Sequence, residues 1–93
     1  KIELDDAAKK EWKKLPPEIK NQLADKLETL LYDPYQAPRL RGDLKNCFKI
    51  KLRSSGYRLV YKVIEDEIVI LVIAVGKRNN DDIYKVAKKR IKK

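Results

Sequence analysis

Lys49 and Lys51 stand two residues apart in the stretch FKIKLRSSGYR (48–58), and Arg58 follows them across a small turn. On an extended strand, residues i and i+2 share a face, so the two ammonium groups point the same way. A hairpin through SSG (54–56) brings Arg58 beside them on the adjacent strand. Further on, GKR (76–78) can deliver Arg78 to the same rim, and Tyr84 lies off the apolar stripe of the last predicted helix. Like charges this close repel one another, and packing them together makes sense mainly when a phosphate lies between them. The same repulsion lowers lysine pKa values toward the range useful to a general base.

Other chemistries are excluded by what the chain lacks. With no histidine and one cysteine, Cys47, it cannot form a Ser-His-Asp triad, a Cys-His pair, a paired-histidine ribonuclease site or a zinc cluster. Its three glycines, Gly42, Gly56 and Gly76, are isolated, so there is no glycine-rich phosphate loop. Asp5–Asp6 and Asp81–Asp82 sit where helix caps belong and EDE (65–67) where a turn belongs, in preference to a magnesium site. No metal and no cofactor are expected. Lys and Arg number 23 against 14 Asp and Glu, and the net charge of +9 favours nucleic acid, an acidic protein or an anionic membrane without choosing among them.

Plainer readings stand beside these. A strand with alternating lysines is commonly a solvated or protected edge. Arg78 serves equally as a surface charge, Tyr84 as a packing residue, and a basic last helix as a solvated face, a nucleic-acid patch or a docking surface for a partner. Residue types and spacing alone reach a basic α+β domain that binds an anion.

The elements that must position these groups follow from periodicity. KIEL (1–4) is a short strand. Asp5 and Asp6 cap a helix carrying Ala8, Trp12 and Leu15, and PPE (16–18) starts a second with Ile19, Leu23, Leu27, Leu30 and Leu31 as its stripe, ended by DP (33–34). Residues 35–46 read as a loop with a short strand near Arg39–Arg41. From Cys47 the period is two: Phe48, Ile50 and Leu52 face the core and Lys49, Lys51 and Arg53 face away. The next strand runs from Tyr57 to about Ile64, and the unbroken run IVILVIAV (68–75) predicts a central strand covered on both faces. NNDD (79–82) caps a last helix with Ile83, Val86, Ala87 and Ile91 inside and Lys85, Lys88, Lys89, Arg90, Lys92 and Lys93 outside.

The order β-α-α-β-β-β-α predicts one small α+β domain over residues 1–93, a two-layer antiparallel sheet backed by a helical hairpin. Its far side stays partly open, and the cations point there. A lone cysteine points to a reducing compartment, and an apolar run of eight residues is far short of a membrane span. A soluble cytoplasmic protein with no membrane partner is expected. The chain begins without methionine, so a few native residues are expected before Lys1.

LRG (40–42), CFKIKLRSSGYRLVYKV (47–63) and VGKR (75–78), followed by Tyr84, resemble the RelE toxins of bacterial toxin–antitoxin pairs, in register from KEWKKL (10–15) to KRI (89–91). The resemblance implies a metal-independent endoribonuclease, an mRNA interferase that enters the ribosomal A site and cuts the codon there. In that family the ribose 2′-OH attacks the adjacent phosphate, leaving a cyclic phosphate and a 5′-OH. Its catalytic residues fall on Lys49, Lys51, Arg58, Arg78 and Tyr84. Arg53, Lys77, Lys85, Lys88 and Lys89 are the expected RNA and ribosome contacts. Phe48 departs from the pattern, where close relatives would carry tyrosine, and a change of packing is expected from it.

The resemblance also implies an acidic RelB-like antitoxin that wraps the toxin and often displaces its C-terminal helix, the pair binding operator DNA mainly through the antitoxin. Two rivals remain: a ParE-like inhibitor of DNA gyrase on the same fold, and a basic nucleic-acid-binding module without catalysis.

Overall fold

The computed structural model describes residues 1–38, 47–64, 69–77 and 82–91. Its elements are β1 (Ile2–Leu4), α1 (Asp6–Lys13), α2 (Pro17–Leu30), β2 (Cys47–Leu52), β3 (Tyr57–Ile64), β4 (Val69–Lys77) and α3 (Asp82–Ile91), in the predicted order. Local chemistry sets their ends. Asp5 caps α1 by accepting the Asp6 N–H at 2.9 Å, and Pro17 opens α2, where its missing N–H costs nothing. Leu31, expected on the α2 stripe, instead lies one residue past the helix at 37% exposure, because the stripe ends with buried Leu30. The strand proposed near Arg39–Arg41, the EDE turn and most of the NNDD cap lie outside the described residues.

The sheet has four strands in the order β1-β4-β3-β2. β2, β3 and β4 form an antiparallel meander. β1 pairs parallel with β4, from Ile2↔Ile70 to Leu4↔Val72. Three residues carry too little pattern to announce that partner. The β2–β3 turn closes with Gly56 at φ +79°, a conformation that glycine adopts without steric cost, and the Gly56 N–H donates to Leu52 O at 2.8 Å.

Between Val60↔Ala74 and Tyr61↔Val72 the β3–β4 register skips Ile73, a β-bulge in β4. Its consequence is visible in the packing. Ile70, Val72 and Val75 join the main core, while Ile73 and the adjacent Ala74 both face the other side.

One face of the sheet packs on α1 and α2 through Phe48, Ile50, Leu52, Leu59, Tyr61, Val63 and the buried stripe of α2. Phe48 belongs to an aromatic group in this core, stacked on Tyr61 at 5.4 Å and edge-on to Tyr35 at 5.6 Å. Tyr61 donates its O–H to Pro34 O at 2.7 Å, fixing the segment after α2. The far face is partly open, but less than expected. α3 lays Ile83 and Ala87 on Val60, Ile73 and Ala74. The two-layer description therefore holds at the β2 end and gives way to three layers over β3 and β4, where apolar residues occupy both faces.

Candidate active site

Lys49 and Lys51 project from β2 to the far face, and Arg58 sits on β3 directly opposite Lys51. The next pair along, Arg58↔Gly76, has no side chain on its β4 side. A Cβ built on Gly76 would lie 3.6 Å from Ile83 Cδ1, an ordinary contact distance, so the first turn of α3 packs directly on the sheet here. That packing sets Tyr84 over the cations. The Arg58 guanidinium donates to Tyr84 Oη at 3.2 Å and lies 5.3 Å from the ring centroid, and Lys49 Nζ lies 5.7 Å from the same ring. Arg58 is only 8% exposed, and is the buried charged residue among those described. A rigid, delocalised guanidinium suits that position better than an ammonium, because it can stack and donate at once.

Lys51 is exposed at the edge of the group. The charge of Lys49 holds its pKa below the ordinary lysine value, helped by desolvation, by Arg58, by a hydrogen bond with Lys49 and by Arg53. A concavity of about 350 Å³ lies between Lys51, Arg53 and Arg58, beside the Gly56 turn. A cavity edged by three cations, one of them hydrogen-bonded to a phenol, can bind a phosphodiester, neutralise charge developing on its oxygens and accept a proton at Lys51. Among the described residues no group of His, Cys, Asp or Glu could hold a metal ion. Cys47 is buried, and burial raises its thiol pKa, with Lys62 acting weakly the other way, so it is a poor nucleophile.

The structure thus brings Lys49, Lys51, Arg58 and Tyr84 together. Arg78 lies outside the described residues. Arg53, Lys77, Lys85, Lys88 and Lys89 are all exposed. Arg90, counted with the outer basic surface, turns inward instead. It makes a bidentate pair with Glu11, at 2.8 and 3.2 Å, and donates to Ile73 O at 2.8 Å. Glu11 also accepts the Val75 N–H at 3.2 Å. The pair joins α1 to α3 across the edge of β4 beyond β1, at the bulge. In sequence only the helical phase of Arg90, three residues after inward-facing Ala87 and seven after Ile83, hinted at this.

A family model described as the ParE toxin of type II toxin–antitoxin systems, parDE, matches residues 2–82. The mRNA interferase toxin RelE of Escherichia coli K12 is 50% identical over 91 residues, covering 97% of this chain and 95% of that protein. A mutant of E. coli RelE in the free state superposes with a TM-score of 0.86 at 48% identity, covering 97% of this chain and 95% of that one. The toxin in the intact E. coli RelBE toxin–antitoxin complex gives a TM-score of 0.78 at 49% identity, over 85% of this chain and 96% of that one. Identity at this level over nearly the whole length goes well beyond a shared fold, and the chain belongs to the RelE toxins of the RelE/ParE superfamily.

Proposed function

We propose that the protein is an mRNA interferase that cleaves mRNA in the ribosomal A site. The observation that carries this reading is the convergence of Lys49, Lys51, Arg58 and Tyr84 on one face, with Arg58 buried beneath the tyrosine. The 2′-oxygen of the ribose attacks the adjacent phosphorus as its proton passes to Lys51 or Tyr84. The bond to the 5′-oxygen breaks and that oxygen takes up a proton from water, giving a cyclic phosphate and a 5′-hydroxyl. Lys49 and Arg58 hold the phosphate, and Arg58 and Arg78 stabilise its added charge, Arg78 beside the leaving 5′-oxygen. The lowered pKa of Lys51 supports it as the proton acceptor.

With no histidine, proton transfer near neutral pH is poorly tuned. Much of the acceleration must then come from orientation, which can supply up to about 7–11 kcal/mol. A ribosome that fixes the mRNA provides it, so free RNA is a poor substrate. Arg53, Lys77, Lys85, Lys88 and Lys89 are the proposed phosphate contacts. Because E. coli RelE is found in complex with its antitoxin RelB, an acidic RelB-like protein is the proposed partner, with operator DNA bound mainly through it. Its place of action is the cytoplasm, and among the described residues no helix is long and apolar enough to cross a membrane.

The ParE name of the matching family model favours a second reading, inhibition of DNA gyrase. Purified protein on ribosomes programmed with a defined A-site codon separates the two. Cleavage at that codon with gyrase supercoiling unaffected is the expected result; intact mRNA with arrested supercoiling would establish the second reading.

A further inference from the structure

On the other side of β2 from Arg58, a cleft of about 500 Å³ runs between the C-terminal half of α2 and the outer edge of the strand. Its size falls within the roughly 300–1,000 Å³ of ordinary ligand clefts. Lys51 and Arg53 line both it and the concavity beside Arg58, so the two meet at these residues, and Lys49 lines the cleft as well. Lys26 adds a fourth cation, and among the described residues no acidic side chain lines it. The floor is apolar, from Leu30, Ala37 and Ile50, and Thr29 and Gln36 supply polar groups. Thr29 donates its hydroxyl to Asp25 O at 3.0 Å, which leaves its oxygen to act as an acceptor. The Lys49 N–H donates outward to Pro38 O at 3.0 Å. By the alternation of an antiparallel edge strand, the Lys51 N–H points to the same side, toward the cleft.

Cations above an apolar slot with amide and hydroxyl groups beside it match a nucleotide: phosphate outside, flat base inside, base edge against polar side chains. An acidic peptide would use the cations but leave the slot and its continuity with the phosphate site unexplained. We propose that this cleft is a subsite for one nucleotide of single-stranded RNA next to the scissile phosphate, and that Gln36 reads the edge of its base. The inference rests on the proposed interferase reading and assigns the origin of codon preference.

The test has two parts, so that failure of one reading is distinguishable from failure of the other. In the first, a short oligoribonucleotide made uncleavable by 2′-O-methylation is titrated into the full chain and backbone amide signals are followed by NMR. Shifts at Thr29, Gln36, Ala37 and Ile50 in addition to Lys51 and Arg58 are expected, with the first group lost when an abasic oligonucleotide is used. Shifts confined to Lys51, Arg58 and Tyr84 would overturn the subsite. So would shifts in the cleft caused by a polyglutamate peptide and not by the oligonucleotide.

In the second part, Gln36→Ala and Thr29→Phe, both at exposed positions, are assayed on a panel of A-site codons. Gln36→Ala should change the ratio of cleavage between codons by roughly 2- to 10-fold, the worth of one hydrogen bond. Thr29→Phe, which fills the cleft, should lower kcat/KM on every codon. Unchanged codon ratios and rates in both variants would overturn the proposal. If the wild type cuts no ribosome-bound mRNA, the interferase reading falls while the titration still decides whether the cleft binds RNA.

Discussion

Arg58 is where folding and chemistry meet most closely, being a charge that the fold nearly closes over. It lies on the face opposite the main core, so its loss should spare the fold. Arg58→Ala should lower the A-site cleavage rate by about 10²–10³ with an unchanged circular dichroism spectrum, and Arg58→Lys should recover only part of it, since an ammonium cannot stack and fork. Lys51 allows a test by pH. In the folded protein its charged form is disfavoured, whereas the unfolded chain keeps the ordinary lysine value near 10.5. The unfolded state therefore binds more protons below that value, and stability rises with pH through the window. Lys51→Gln should be more stable than wild type at pH 7, by an advantage that shrinks toward pH 10.5 in urea titrations. If Lys51 is the base, the alkaline rise of the cleavage rate should also vanish in this variant. The shared face of Lys49, Lys51 and Arg58 was legible because a strand has period two. The burial of Arg58 was not, because it depends on α3 crossing above it.

At the scale of elements, α3 decides whether Tyr84 reaches the cations. Its buried footprint is small, Ile83 and Ala87 with partly buried flanks, so the Glu11–Arg90 clamp carries much of the docking. Removing either partner, by Glu11→Ala or Arg90→Ala, should cost about 1–2 kcal/mol, less than a fully buried pair because Glu11 keeps 30% exposure. Amide hydrogen exchange along α3 should quicken by roughly 5- to 30-fold, with β2 and β3 unchanged. Gly76→Val should act from the sheet side by pushing Ile83 away, while Gly76→Ala meets only an ordinary contact. The helices and the meander were readable from apolar spacing and caps. The clamp was not, because its halves are 79 residues apart and Arg90 sits among lysines that look the same.

For the whole molecule, a net charge of +9 predicts binding governed by released counterions. Ribosome affinity, measured by sedimentation over a salt series, should fall linearly on a log–log plot. Replacing Lys85, Lys88 and Lys89 by glutamine should flatten the slope by about 0.7–0.9 per lost phosphate contact. The same triple change should leave thermal unfolding nearly untouched, since all three side chains are exposed. Net charge is legible in any sequence, but its distribution over a surface is not. Here 40% charged residues are sorted so that one inward arginine fastens a helix while its neighbours face solvent.

The bulge at Ile73 also changes what a loss of length would do. Removing one residue from a central strand ordinarily slips its register and turns every later side chain to the wrong face. Ile73 is the residue β3 skips, so its deletion would leave Tyr61↔Val72 and Val60↔Ala74 as consecutive partners in an unbroken ladder. What disappears is the carbonyl that Arg90 grips and one of the three buried residues on which α3 sits. A chain shortened by that one residue should keep its sheet, as amide exchange would record, and release its last helix. The supernumerary residue is thus a spacer for the tyrosine, dispensable to the strand that contains it.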